Sequence, residues 1–338
     1  MIRQLAAVAA AATLLVTTLP AAQAAVAGPA SPATCTKKVL DLPADSLGSG
    51  SARSADPSGR YILGQASREG RMHNQAVLWV DGVPRWLASQ PDGETFAYSV
   101  IKGGFVLGTT YGDTTQHWIY SARSDSYRIL DLGDVQYPEV SAMNENRDVL
   151  GTVLDPAGQR APFVWPASGQ PRQLPMPNGH SVESMDDISA DGLVVGRLNL
   201  PEGGGTSFLW RPGQAQPTRL TGAGDERVWA REIQGRWIAG GNTDLDNPTG
   251  LLWNTRHNRT VRLEAPVADL NSSRDAVTSG LFGPLGDRAS TLIRRDGTKL
   301  TFPEGTMLEH IFERGTQWTA AGYDVSSSPH QPLVYACE

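Results

Sequence analysis

Cysteine is almost missing from this chain: 338 residues hold two, Cys35 and Cys337. No Cys/His cluster is therefore possible, and none of the six histidines stands in an H-E-x-x-H pattern, so the sequence supports no zinc site. Basic residues do not dominate either, with Lys+Arg 29 against Asp+Glu 35 and a net charge of −6. Without a basic stripe, nucleic acid is a poor partner. A G-x-S-x-G nucleophile elbow and a phosphate loop are both absent. No segment carries a convincing helical period. Beyond the first twenty or so residues, no apolar run approaches spanning length.

That first stretch is different in kind. Arg3 is followed by an apolar run from Leu5 to Leu19, then Pro20 and the small residues Ala21-Ala22-Gln23-Ala24. This order predicts a secretory signal peptide over residues 1–24, cleaved after Ala24, with cleavage after Ala27 as the alternative. Residues 25–34 then form a short linker, and 35–338 form the folded domain. Removing the only charge of the leader, Arg3, takes the formal charge from −6 to −7. The expected product is secreted and monomeric, without a membrane span.

What is abundant is turn chemistry, with Gly 36 and Pro 23, alongside a hydrophobic share of 40%. Many turns in a chain that can still build a core suggest many short strands. A glycine after a short apolar run recurs at Gly64, Gly108, Gly151, Gly196, Gly240, Gly280 and Gly322, in steps of 40 to 45 residues. Each is followed by a second marker, an apolar strand with a large final side chain: Ala76-Val77-Leu78-Trp79, Pro162-Phe163-Val164-Trp165, Ser207-Phe208-Leu209-Trp210 and Gly250-Leu251-Leu252-Trp253 are the clearest copies. The third unit reads as strands at Val140–Met143, Val149–Leu154, Pro162–Trp165 and Arg172–Leu174. Four strands at this period are the arithmetic of a propeller blade. The prediction is an all-β, seven-bladed β-propeller.

The seventh unit lacks a fourth strand. A match exists at the other end, where Lys37-Lys38-Val39-Leu40-Asp41-Leu42 parallels Tyr127-Arg128-Ile129-Leu130-Asp131-Leu132. The N-terminal strand should therefore complete the last blade. Cys35 would begin that strand and Cys337 would end its antiparallel neighbour, so a disulfide should take the place of the missing turn in an oxidising compartment.

The units resemble the secreted HAF-repeat proteins, a propeller-like family. Ser141-Ala142-Met143-Asn144-Glu145-Asn146-Arg147-Asp148-Val149-Leu150-Gly151 and Ile188-Ser189-Ala190-Asp191-Gly192-Leu193-Val194-Val195-Gly196 match the first half of its pattern, and Gln75-Ala76-Val77-Leu78-Trp79 matches the second. The final Trp is lost in units six and seven, and no copy keeps a full His-Ala-Phe. The resemblance implies an extracellular propeller and brings no catalytic residues.

Candidate sites follow from where loops should gather. The tryptophans Trp79, Trp165, Trp210 and Trp253 occupy one equivalent strand position and should pack between blades. Loops between second and third strands share a face with the crossovers between blades. That face is rich in carboxylates, among them Asp92, Glu94, Asp134, Asp225, Glu226, Asp244 and Asp246, and Trp229 is placed in a crossover beside them. A protein or a glycan is the expected partner. Asp244-Leu245-Asp246-Asn247 makes calcium the one candidate ion, although the Gly and distal Glu of an EF-hand loop are missing; no cofactor is expected. A second set of polar residues, Glu139, Asp186, Asp187, Arg231, Glu232 and His310, falls at or near innermost strands facing the central channel. The expected function is an extracellular binding or scaffold module using the acidic loop face, with a channel-centred hydrolase or lyase as the alternative.

Overall fold

A computed structural model describes residues 34–87, 94–222, 227–242, 244, 248–257, 259–278, 289–314 and 317–337. The predicted leader lies outside these residues. Among them are 28 strands, β1 (Cys35–Val39) to β28 (Gln331–Cys337), and no α-helix. The strands form seven four-stranded antiparallel sheets. Blades one to six each use four consecutive strands, while blade seven has the order β1-β28-β27-β26, where β27 is Gln317–Asp324 and β26 is Thr306–Arg314. The third unit comes out as β10 (Gln136–Met143), β11 (Val149–Leu154), β12 (Arg160–Trp165) and β13 (Arg172–Gln173).

The repeating glycine has a single steric cause. On every innermost strand the pairing with the second strand slips by one residue, a β-bulge. In six blades the glycine lies opposite the residue just before the bulge, as Gly64↔Ala52, Gly151↔Val140 and Gly240↔Ala230 show. A Cβ on Gly151 would stand 1.8 Å from the Glu139 carbonyl oxygen, and one on Gly240 1.9 Å from that of Trp229. The bulge drives the innermost strand against its neighbour, and only a residue without a side chain tolerates the approach. Blade six differs: Thr278 holds the register position opposite Val267, and Gly280, the glycine expected there, lies outside the described residues.

The terminal tryptophan of the third strand does two jobs. Trp79, Trp165, Trp210 and Trp253 are all buried, at 5% exposure or less, and pack in clusters that join a blade to the one before it. Each indole N–H also donates to a carbonyl in the crossover arriving from that preceding blade: Trp79 to Asp41 (2.6 Å), Trp165 to Leu132 (3.0 Å), Trp210 to Pro175 (2.7 Å) and Trp253 to Thr221 (2.7 Å). A buried indole needs such an acceptor, and a crossover carbonyl buried against it needs a donor.

The ring closes as predicted. Strand β1 pairs antiparallel with β28 from Cys35↔Cys337 to Val39↔Leu333, and the two cysteines form a disulfide across 302 residues of sequence. The strand is shorter than the predicted Lys37–Leu42 run at its far end. Leu40 (3% exposed) and Leu42 instead turn into the core of blade one, and the Asp41 carbonyl meets Trp79. Lys37 adds an ion pair to Asp324 at 2.7 Å.

Two outcomes are expected. Cys35→Ser should lower Tm by on the order of 10 °C in a thermal melt, because the cross-link removes the entropy of a very long loop from the unfolded chain. Gly151→Ala should destabilise by about 2 kcal/mol or more in urea denaturation, since neither backbone can retreat without breaking the ladder.

Candidate functional site

Each bulge does more than exclude a side chain. It presents two successive residues of the innermost strand toward the channel instead of one. The extra residues are, in blade order, Arg53, Tyr98, Ser141, Asp186, Arg231, Ala268 and Glu309; the residues after them are Ser54, Ser99, Ala142, Asp187, Glu232, Asp269 and His310. All fourteen line one cavity of about 1200 Å³ at the channel mouth. Its wall continues through the turns that lead from innermost to second strands, including Lys102, Glu145, Asp191 and Arg236. This is the opposite end of the innermost strands from the crossovers.

The second residue of each pair works largely on the neighbouring blade. Asp187 Oδ2 accepts from the Ile233 N–H at 2.8 Å, linking blade four to five, and Asp269 Oδ2 accepts from the Ile311 N–H at 2.7 Å, linking six to seven. Ser54 Oγ accepts from the Val100 N–H at 3.2 Å, linking one to two. His310 closes the circuit: its Nδ1 lies 2.6 Å from Asp269 Oδ2, and its ring also donates to the backbone carbonyl of Ala55 in blade one. An imidazole donating from both nitrogens is the cation. Burial alone would lower the His310 pKa, but the Asp269 carboxylate outweighs it and the net shift is upward.

The acids are perturbed in one direction. Burial raises Asp186 to about 7, against the Ser184 hydroxyl that donates to it at 3.0 Å. Burial raises Asp187 to about 6, opposed by its two backbone N–H partners, Ile233 and Ile188. Glu232 is pushed up by burial and then by the neighbouring Asp187 and Asp269 charges, and it hydrogen-bonds Asp187. Glu232 therefore holds the proton of that pair. Asp186 Oδ2 and Asp269 Oδ1 are buried acceptors with no donor. Two first-position residues are the accessible ones: Arg53 is exposed, and Arg231 (49% exposed) reaches past Ala268 of blade six to Glu309 of blade seven at 3.6 Å.

Five of the six predicted channel residues, Asp186, Asp187, Arg231, Glu232 and His310, meet in this cavity. The sixth, Glu139, does not. It precedes the bulge of β10, outside the cavity lining, and is held in a bidentate ion pair by Arg160, which pulls its pKa down. Asp269 and Glu309 complete the site and were not among the expected residues. The loop-face set is less concentrated. Asp134 and Asp244 are exposed, and Glu94 starts β6 beside His73, 3.1 Å away. Asp92, Asp225, Glu226 and Asp246 lie outside the described residues. Trp229 is not in a crossover: it belongs to β18 (Val228–Gln234), is half-buried, and donates its indole N–H to the Asn242 carbonyl at 2.8 Å. No three His, Cys, Asp or Glu side chains among the described residues are placed to hold a metal ion. Asn271, which fits the glycosylation acceptor pattern, is 3% exposed and spends its side chain on Asp275.

The molecule is thus a seven-bladed propeller closed by a disulfide, with a polar cavity at one mouth of its channel. No protein-family model matches the sequence, and no curated protein does. Solved structures resemble it in fold. YCF48 from Cyanidioschyzon merolae is 13% identical with a TM-score of 0.51, covering 88% of this chain and 98% of that one. A prolyl endopeptidase is 8% identical with a TM-score of 0.55, covering 86% of this chain. TolB from Acinetobacter baumannii is 12% identical with a TM-score of 0.46, covering 63% of this chain. This chain spans about half the length of the latter two, 50% and 54%. At these identities the likeness shows the propeller fold alone.

The shifts set the pH dependence. Asp186, Asp187 and Glu232 have folded pKa values above their unfolded ones, so the native state binds extra protons, and this contribution fades as pH rises toward 7 and beyond. His310 is also raised, so its contribution is full below its unfolded pKa and is lost as pH climbs through the folded one. All four slope the same way and outnumber His117, whose burial-lowered pKa makes stability rise with pH below its unfolded value. Tm should be higher at pH 5.5 than at pH 8, and Asp186→Asn should flatten the difference in a scan over that range.

Proposed function

We propose that this protein is an exported binding propeller that holds its ligand at the mouth of the central channel. The carrying observation is the cavity itself: seven bulges aim two residues apiece into one concavity of about 1200 Å³, larger than an ordinary small-molecule site. The leader-like N-terminus, the disulfide and the resemblance to HAF-repeat proteins support an extracellular setting. The acidic loop face, with Asp134 and Asp244 exposed, is the competing contact surface for a protein or a glycan.

A thermal-shift screen of polar small molecules and oligosaccharides against the purified protein separates the two. A ligand that raises Tm of the parent and of Asp134→Ala, but not of Ser141→Trp, which fills the channel mouth, is the expected result. Stabilisation that survives Ser141→Trp and disappears in Asp134→Ala would move the site to the loop face.

A channel-centred hydrolase or lyase is the second reading. One observation favours it: Asp186 and Asp187 titrate near neutrality, where a carboxyl can both give and take a proton. His310 is unsuited to act as the base, since both its ring nitrogens are already donors.

A further inference from the structure

Resting on the channel reading above, we infer that the ligand is a neutral oligosaccharide. Three features of the wall select it. First, the wall offers an apolar ligand little: every Val, Ile, Met and Phe of the lining is buried, none more than 6% exposed, which leaves Tyr98, Pro57 and Ala190 as accessible carbon surface. A ligand that is polar over most of its surface fits such a wall, because desolvating the polar groups against an apolar surface costs free energy without return.

Second, the first positions of the pairs alternate in kind. From blade four onward they run Asp186, largely buried, then the accessible Arg231, then Glu309 beyond the gap left by Ala268, then the exposed Arg53. Ser141 adds a hydroxyl. A strongly anionic or cationic ligand would meet repulsion at every second position. A sugar hydroxyl both donates and accepts, so vicinal hydroxyls suit carboxylate and guanidinium planes equally, each used in a bidentate way. The acids do not upset the balance, since burial pushes Glu232 up and raises Asp186 to about 7 and Asp187 to about 6, each toward the neutral form.

Third, a point ion does not fit. No three ligating side chains converge among the described residues, yet polar groups are spread around the whole mouth. Dispersed donors and acceptors around a cavity of about 1200 Å³ match an extended ligand of more than one sugar ring.

The test uses the secreted protein on an array of neutral oligosaccharides, followed by calorimetric titration of the strongest binder at 20 and 500 mM NaCl. Spermidine and citrate serve as charged probes. Saturable saccharide binding is expected, changing less than about 2-fold between the two salt concentrations, because an uncharged ligand has no Coulomb attraction to screen. Arg231→Gln, with an unchanged Tm, should weaken it by about 10-fold, the loss of one charge-assisted hydrogen bond. Asp134→Ala should leave it unchanged.

If no saccharide binds, the inferred ligand class is wrong. If spermidine or citrate binds instead, salt-sensitively and through Arg231, the class is again wrong while the channel site stands. If a saccharide binds but ignores both Arg231→Gln and Ser141→Trp, the channel site itself falls.

Discussion

One close approach governs this molecule: the second strand of a blade running so near the innermost strand that a Cβ would strike a carbonyl oxygen at about 1.8–1.9 Å in four of the seven blades, Gly64, Gly151, Gly240 and Gly322 among them. The glycine permits the bulge, and the bulge decides what the channel is. A regular strand would alternate its side chains, one in two toward the axis. The bulged strand spends an extra residue there, so seven blades supply fourteen lining residues to one mouth. The site is thus a consequence of strand geometry repeated seven times, and its chemistry is whatever residues fall at those two positions.

The two positions carry different burdens. Residues in the second position hold blade to blade: Ser54, Asp187 and Asp269 each satisfy a backbone N–H of the next innermost strand, and His310 reaches the carbonyl of Ala55 across the seam. Inside the channel these contacts do what the tryptophan–carbonyl bonds do in the layer between blades. The disulfide does the same at the rim of blade seven, where a connecting turn is absent. Closure is therefore enforced at three radii, and no single one carries it alone. The first position, freed from that duty, is where Arg53, Arg231 and Glu309 present their charges to the cavity.

Most of the architecture was legible because its markers are steric. The glycine and the tryptophan must recur wherever the close approach and the inter-blade packing recur, and Cys35 and Cys337 sit where the seam must be. The site was legible only in part. Asp186, Asp187, Arg231, Glu232 and His310 were found by placing polar residues on innermost strands. Glu139 was grouped with them because phase within a strand is lost at a bulge: it stands two residues before Ser141 and ends up with Arg160, away from the cavity. Asp269 escaped because blade six breaks the rule that sets the phase, with Thr278 at the glycine position. Trp229 looked like a crossover residue because the strand β18 begins at Val228, earlier than its apolar pattern suggests.

The buried acids pose the deeper question of why a channel would hold groups that resist ionisation. Hydrogen bonding to the next blade explains Asp187, and an amide or serine could do as much with less desolvation, as Ser54 does in blade one. Glu232 has no such excuse, since its neighbours Asp187 and Asp269 oppose its charge and it keeps a proton in response. Asp186 has Oδ2 buried without a donor. Carboxyls retained at a free-energy cost, beside a cavity and not within a packed core, are a mark of selection for what the cavity holds. A protonated carboxyl is both donor and acceptor, which is the property shared by every hydroxyl of a saccharide. The same desolvation that makes these groups poor structural elements thus turns them into the amphoteric partners that an uncharged, polyhydroxylated ligand requires.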